Sequence, residues 1–445
     1  MKLRRDLNRT TAPIVLVPCC FLLCLAWVIS TPVVASAQNQ IPEFIDKLEK
    51  VAHQKVDIIV EEFDVLSGGR PAVEDSRTAQ SVAEQDLRYT GLFRVWSSEQ
   101  AADSLSLGFA VEGSIEGPLA DAETSGEAAG PIITLKLLSF PERQLLFSKR
   151  YQPKQKSLIR TSVHHFINEV TAVLTGESGI CLTRIVFSRG SGDRRDLYVV
   201  DYDGENVMRL TANRTLNLCP AWSPDGKQIA FTSYTRGEQG VFIQETATGQ
   251  VRQLTDDVGL NLGPDWHPSG EEIVVSLSRS GDPEVYRVDL TGKILGRLTV
   301  SPAIEISPHW SPGGRDIVFT SDRTGTPQLY IMDSDGAGRR RLTFEGRYND
   351  SAAWSPSGGQ VVYACRERNY TQLVLITTNG ENRRVLTGGE WRSCEDPSWA
   401  PDGRHVVFAS DRTGTFKLYV MDVVDRTFRQ LTSGDEPDIT PAWSP

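Results

Sequence analysis

Six histidines and one set of polar residues at a fixed offset are the side chains in this 445-residue sequence best suited to act on, or hold, another molecule. The histidines are His53, His164, His165, His267, His309 and His405. A metal or a general base would need several of them on one face. His164 and His165 are consecutive, and consecutive helical residues point apart. A hydrolase nucleophile has no Gly-x-Ser-x-Gly elbow to expose it. His-Glu-x-x-His, Cys-x-x-Cys and a phosphate-binding loop are all missing from the sequence. The expectation is a protein that is not an enzyme and takes no cofactor. Two alternatives stay open: an exported hydrolase or lyase on the same scaffold, and a channel-mouth binder of a small ligand or carbohydrate.

The offset set is more specific. Tryptophans recur at Trp222, Trp266, Trp310, Trp354, Trp399 and Trp443, and five residues before them stand Asn217, Asn261, Glu305, Asn349, Cys394 and Asp438. Five of the six are polar or acidic. At the entry to the innermost strand of a closed array they would ring the mouth of a central channel. Asn217, Asn261, Glu305, Asn349 and Asp438 then offer hydrogen bonds to a docking protein, and Glu305 with Asp438 a weak cation site. The bland alternative is a solvated loop entry in which each Asn bonds its own backbone.

The elements that would position these residues come from the repeat itself. PAWSPDG (Pro220–Gly226) returns as PDWHPSG, PHWSPGG, AAWSPSG and PSWAPDG, and the sequence stops at PAWSP, with tryptophan spacings of 44, 44, 44, 45 and 44. A period near 44 with strand-like content marks a propeller or solenoid. Each unit holds the tryptophan strand, a run such as DIVFTS (Asp316–Ser321), a run such as QLYIMD (Gln328–Asp333) and a short run such as RRLT (Arg340–Thr343). Four strands make a propeller blade. The tryptophans are expected to pack between blades. The first unit, from Thr183, lacks a tryptophan strand, and the last segment, Pro441–Pro445, has nothing after it. The C-terminal strand is therefore expected to complete the first blade and close the ring, which removes exposed sheet edges.

Residues 38–180 lack the repeat. Val56–Phe63 reads as a strand, Val73–Tyr89 as a helix, Phe109–Glu116 and Ile132–Leu138 as paired strands across an acidic tip, and Gln144–Tyr151 as a further strand. Ile159, Val163, Phe166, Val170 and Val173 step by four and three, so Leu158–Leu174 is an amphipathic helix. The fold class expected is multidomain, α/β plus all-β: a small N-terminal α/β domain (38–180) followed by a six-bladed β-propeller (181–445) closed by the C-terminal strand.

Composition bounds the setting. A net charge of −10 argues against nucleic acid as a partner. Lys2, Arg4, Arg5 and Arg9 precede an uncharged apolar run, Ile14–Ile29, and Ala35-Ser36-Ala37 offers small residues for cleavage. Residues 1–37 therefore read as a secretory signal peptide, with no membrane span after its removal. An uncleaved anchor is the alternative. Cys181, Cys219, Cys365 and Cys394 would then sit in an oxidising compartment, either bridged in one of three pairings or buried as free thiols.

The arrangement resembles the TolB family, the periplasmic component of the Tol–Pal system. The resemblance rests on the signal, the small first domain, the six WSPDG-type units, the stretches LTGESGICLTRIVF (Leu174–Phe187) and DLYVVDYDG (Asp196–Gly204), and the terminal PAWSP. It implies a periplasmic, non-enzymatic protein that binds the peptidoglycan-associated lipoprotein Pal through the propeller mouth. It also implies contact with the inner-membrane protein TolA through the mature N-terminus, and support of outer-membrane integrity and of constriction during division. Residues 38–54 depart from the family's TolA-binding segment.

Overall fold

The structure, a computed structural model, describes residues 55–97, 108–117 and 130–445, except Arg236, Asp256, Asp257 and Arg368. The expected signal peptide with Cys19, Cys20 and Cys24, the segment 38–54 with His53, and the acidic tip at 121–129 lie outside the described residues.

The first domain contains β1 (Val56–Val60), β2 (Asp64–Ser67), α1 (Gly69–Tyr89), β3 (Phe93–Trp96), β4 (Gly108–Glu116), β5 (Ile132–Phe140), β6 (Leu145–Tyr151) and α2 (Leu158–Thr175). Its sheet runs β3-β1-β4-β5-β6, with β2 added to β4. The alternation in β5 decides its faces: Ile133, Leu135 and Leu137 are fully buried, while Thr134 and Lys136 between them are half-buried. Helix α1 turns Ala72, Ala79, Val82, Ala83 and Leu87 inward, and it packs on α2. It starts four residues earlier than Val73 because Pro71 is tolerated within the first turn, where its missing N–H costs nothing. Helix α2 stops where the pattern indicates, with Gly176 left-handed at φ 75°.

The rest is a ring of six four-stranded antiparallel blades. The inner strands of blades 2 to 6 are Asn217–Trp222, Asn261–Trp266, Glu305–Trp310, Tyr348–Trp354 and Cys394–Trp399. The inner strand of blade 1 is the C-terminal Asp438–Trp443, and it pairs Asp438↔Arg189, Ile439↔Ser188, Ala442↔Val186 and Trp443↔Ile185. The ring is closed as the sequence leads one to expect.

Every inner strand carries a bulge three residues before its tryptophan. The residues there, Cys219, Gly263, Ser307, Ser351, Asp396 and Thr440, are left-handed, with φ between 48° and 62°. Only one is glycine. A proline follows five of them, at a position where a bulge leaves no ladder bond to donate.

The two domains share one apolar core. Val163, Phe166 and Ile167 of α2 belong to the same buried cluster as Tyr202, Val407 and Val420 of the propeller.

Candidate functional site

The residues five before each tryptophan do not form an exposed ring. Asn217, Asn261, Glu305, Asn349, Cys394 and Asp438 are all fully buried. Each stands in the inner strand with its side chain turned into the blade stack, the three asparagines bonding the neighbouring blade and Glu305, Cys394 and Asp438 meeting partners on their own blade. Asn217 Nδ2 donates to the Arg195 carbonyl at 2.8 Å, Asn261 Nδ2 to the Gln239 carbonyl at 3.0 Å, and Asn349 Nδ2 to Gln328 Oε1 at 2.9 Å. Glu305 takes Arg323 Nη2 on both oxygens at 2.9 Å, and Asp438 takes Arg189 at 2.6 and 3.0 Å. Cys394 Sγ faces Ser410 Oγ at 3.7 Å. These side chains fasten strands and blades to one another, which corrects the expectation of a docking ring. The weak cation site at Glu305 and Asp438 falls with it, because each carboxylate already holds a guanidinium.

The tryptophans do the same on the other edge of the strand. The indole N–H of Trp222 reaches the Ala442 carbonyl, that of Trp266 the Ala221 carbonyl, that of Trp354 the His309 carbonyl and that of Trp399 the Ala353 carbonyl, at 3.1–3.2 Å. Trp443 donates instead to Thr183 Oγ1 at 2.8 Å, across the closure.

The residues that do face the channel sit at the bulges. A cavity of about 480 Å³ is lined by Cys219, Ser307, Ser351, Asp396 and Thr440, by the prolines beside them, and by Asp265 and His309. Asp265 Oδ2 accepts the Trp310 backbone N–H at 2.7 Å and lies 3.7 Å from His309 Nδ1. Asp396 accepts Ser351 Oγ at 3.1 Å. Burial pushes the Asp265 and Asp396 carboxyls above the usual range. Burial, then the charges of Asp396 and Asp350, push the Cys219 thiol up to about 12, so it is no nucleophile at neutral pH. Sequence reading passed over these residues; the signal was the proline that follows five of the six. All four cysteines of the described chain are free thiols.

The two ends of the propeller differ. One end carries the first domain, seated on blades 6 and 1. Arg404 Nη2 donates to the Gly91 carbonyl at 3.1 Å and holds Asp425, which also takes Lys55 at 2.7 Å. The other end, made of the entry loops to the inner strands and the loops between second and third strands, exposes apolar side chains. Val300 is 71% and Phe344 72% exposed, with Ile304, Tyr348 and Tyr370 exposed beside them.

At the domain seam α1 and α2 bring Asp86 and His164 against Tyr202 and Asp203 of blade 1. The Asp86, His164 and Asp203 side chains present ligand-type atoms within 4.8 Å of one another. The Tyr202 hydroxyl and His164 already occupy Asp86, and Arg160 occupies Asp203, so the cluster is filled by its own donors. His165, its neighbour, is exposed.

A family model described as the TolB beta propeller domain matches residues 172–445. A protein TolB homolog of Chlorobium chlorochromatii is 33% identical over 242 residues, 53% of each chain. A Tol-Pal system protein TolB of Desulfosudis oleivorans is 30% identical over 234 residues, covering 50% of this chain and 52% of that one. The chain spans about half the length of the curated relatives it matches. The crystal structure of TolB from Acinetobacter baumannii superposes with a TM-score of 0.74 at 26% identity, covering 88% of this chain and 97% of that one. Among the described residues no helix is long and apolar enough to cross a membrane.

Proposed function

Since this chain belongs to the TolB beta-propeller family, we propose that it is a periplasmic, non-enzymatic docking protein of the Tol–Pal type. It holds a peptidoglycan-associated lipoprotein of the Pal kind and so supports outer-membrane integrity and envelope constriction at division. The observation that carries this reading is the free end of the propeller, where Val300, Ile304, Phe344 and Tyr370 stand exposed on loops and Tyr348 at the start of an inner strand. Exposed aromatic and aliphatic groups gathered on one face are what a protein partner buries. In this reading the partner touches the loops. Asn217, Asn261, Glu305, Asn349 and Asp438 serve it indirectly, by fixing the strands from which those loops spring. A TolA-like partner would meet the segment 38–54, which joins the described chain at Lys55, beside blade 6.

The test is calorimetric titration with the purified soluble domain of a peptidoglycan-associated lipoprotein. The pair Val300→Glu and Phe344→Glu should keep the fold, because both side chains are solvent-facing. It should weaken binding at least tenfold, about 1.4 kcal/mol. Leu66→Glu, on the exposed strand β2, should leave binding unchanged. Equal effects from both changes would overturn the face, and no binding by the unaltered chain would overturn the partner.

A further inference from the structure

The arginines of the propeller's free end fall into two sets. Arg189 holds Asp438, Arg297 holds Glu284 and Arg323 holds Glu305. Those three carboxylates are fully buried, so their arginines serve the fold. Arg347 and Arg366, on blade 5, stand apart. Both are exposed, and neither makes an ion pair or a side-chain hydrogen bond to any described residue. The acids that could answer them are taken: Glu345 and Glu367, close by in sequence, are both held by Arg383. Glu395, on the next inner strand, has its carboxyl raised by burial, and the Arg366 charge opposes that shift without forming an ion pair.

The backbone holds the two guanidiniums side by side among aromatic rings. The Arg347 N–H donates to the Arg366 carbonyl at 3.0 Å, and Tyr348 shares a ladder rung with Arg366. Tyr370, in the loop that follows Arg366, is 47% exposed. Phe344 stands three residues before Arg347, with the Arg341 guanidinium 4.8 Å from its ring. Paired guanidiniums are suited to carboxylates, which they bind through charge-assisted and often bidentate bonds. Tyr, Phe and Arg together are also the residue types that protein interfaces concentrate.

We propose that blade 5 is the acid-binding half of the docking face: Arg347 and Arg366 receive the carboxylates of an acidic segment of the partner protein, and Phe344, Tyr348 and Tyr370 cover the apolar side chain beside them. This rests on the reading of the free end as a docking face. An anionic membrane fits less well. The chain carries a net charge of −10 and is repelled by such a surface at longer range, and adhesion to lipid draws on larger clusters of cations.

Calorimetric titration of the full chain with the purified soluble domain of a peptidoglycan-associated lipoprotein, at about 50 mM and about 500 mM salt, tests this. Arg347→Glu with Arg366→Glu should weaken binding at least about tenfold at the lower salt and less than about threefold at the higher, where exposed charges are screened. Arg347→Gln with Arg366→Gln adds no repulsion toward the nearby acids, which guards against a folding defect, and should cost about threefold at the lower salt. Arg70→Glu with Arg77→Glu makes the same change of net charge on the exposed side of α1 and should leave the affinity within about twofold. A charge-reversed blade 5 that binds as tightly as the unaltered chain would overturn the acid-binding half, while a loss from Val300→Glu and Phe344→Glu would keep the docking face. Equal losses from the α1 pair and the blade 5 pair would overturn it too, because net charge alone would then govern. So would binding to phosphatidylglycerol vesicles that needs Arg347 and Arg366 when binding to the lipoprotein domain does not. No binding by the unaltered chain would overturn the docking reading and this inference with it.

Discussion

Asp438 and Arg189 lie 249 residues apart in sequence and face each other across the ladder that closes the ring, with Nε to Oδ1 at 2.6 Å and Nη2 to Oδ2 at 3.0 Å. Lys417 Nζ stands 3.4 Å from the same carboxylate. The carboxylate is fully buried, and its bonds to Arg189 hold the guanidinium in its charged form. Asp438→Ala strands both cations, and breaking a buried pair from one side costs about 3–5 kcal/mol. Chemical denaturation should show that loss as a lower midpoint with an unchanged slope. A loss under about 1 kcal/mol would mean the clasp does not hold the ring. Deleting Ile439–Pro445 removes the strand as well and should lower the melting temperature further. Glu305→Arg, which sets a second cation against Arg323 at a fully buried site, should not yield a folded chain.

The indoles offer a paired comparison. Trp354 Nε1 donates to the His309 carbonyl at 3.1 Å, whereas Trp310 Nε1 is buried with no hydrogen-bond partner among the described residues. Both rings are buried between blades. Trp354→Phe loses a bond and leaves a carbonyl short, for about 0.5–1.5 kcal/mol on top of the packing change. Trp310→Phe loses the same ring area but also removes an unsatisfied donor. It should be the milder of the two by about 1 kcal/mol. Urea midpoints in the opposite order would show that packing alone decides both.

How far the sequence speaks is visible in particular residues. The tryptophan period set the number of blades, and the halves left at Thr183 and Pro441–Pro445 foretold the pairing of Trp443 with Ile185. Such repeats are legible because each blade solves the same packing problem. Strands β2 and β3 were not foreseen: each has four residues, and β2 is exposed throughout, so neither carries an alternation long enough to register. The offset set was read as polar and therefore as facing solvent. Polarity at Asn217 or Glu305 instead meets buried partners, the Arg195 carbonyl and Arg323, which no periodicity encodes. The channel wall was missed because it depends on a left-handed bulge. Cys219, Ser307 and Thr440 carry no residue preference for that conformation. The seam was illegible for another reason: Asp86, His164 and Asp203 come from three distant segments.

Cys219 lines the channel, so it looks open to reagents, yet its thiol is pushed up to about 12. At pH 8 about one thiol in ten thousand would be ionised, against a sizeable fraction in an unfolded chain. Iodoacetamide at pH 8 should leave Cys219 unlabelled in the folded protein and label it quickly in guanidinium. The folded rate should climb about tenfold per pH unit above 8, since only the thiolate reacts. Asp396→Asn with Asp350→Asn removes the two charges that oppose ionisation after burial, and should speed labelling. Fast labelling of the untouched folded chain at pH 8 would show that the channel does not hold the thiol protonated.

Arg323 and Arg412 each stand thirteen residues after a repeat tryptophan, but in opposite circumstances. Arg323 bonds both oxygens of Glu305 and lies 4.9 Å from the Tyr330 ring. In blade 6 the place of Glu305 is taken by Cys394. Arg412 there rests on Trp391 at 4.3 Å and Phe428 at 4.6 Å, with its Nη1 buried and without a hydrogen-bond partner among the described residues. Arg323→Met strands a buried carboxylate, a cost of about 3–5 kcal/mol. Arg412→Met loses cation–π attraction of about 1–2 kcal/mol but also removes an unsatisfied donor of similar cost, so its net effect should stay within about 1 kcal/mol. Adding Glu305→Gln to Arg323→Met removes the stranded charge and should restore much of the loss. A double-mutant cycle in urea reads the coupling, expected at more than about 1.5 kcal/mol for a charge-assisted bidentate pair. If the two methionine variants proved equally destabilised, the acid at this offset would be dispensable, and blade 6 would owe nothing to the aromatic rings that replaced it.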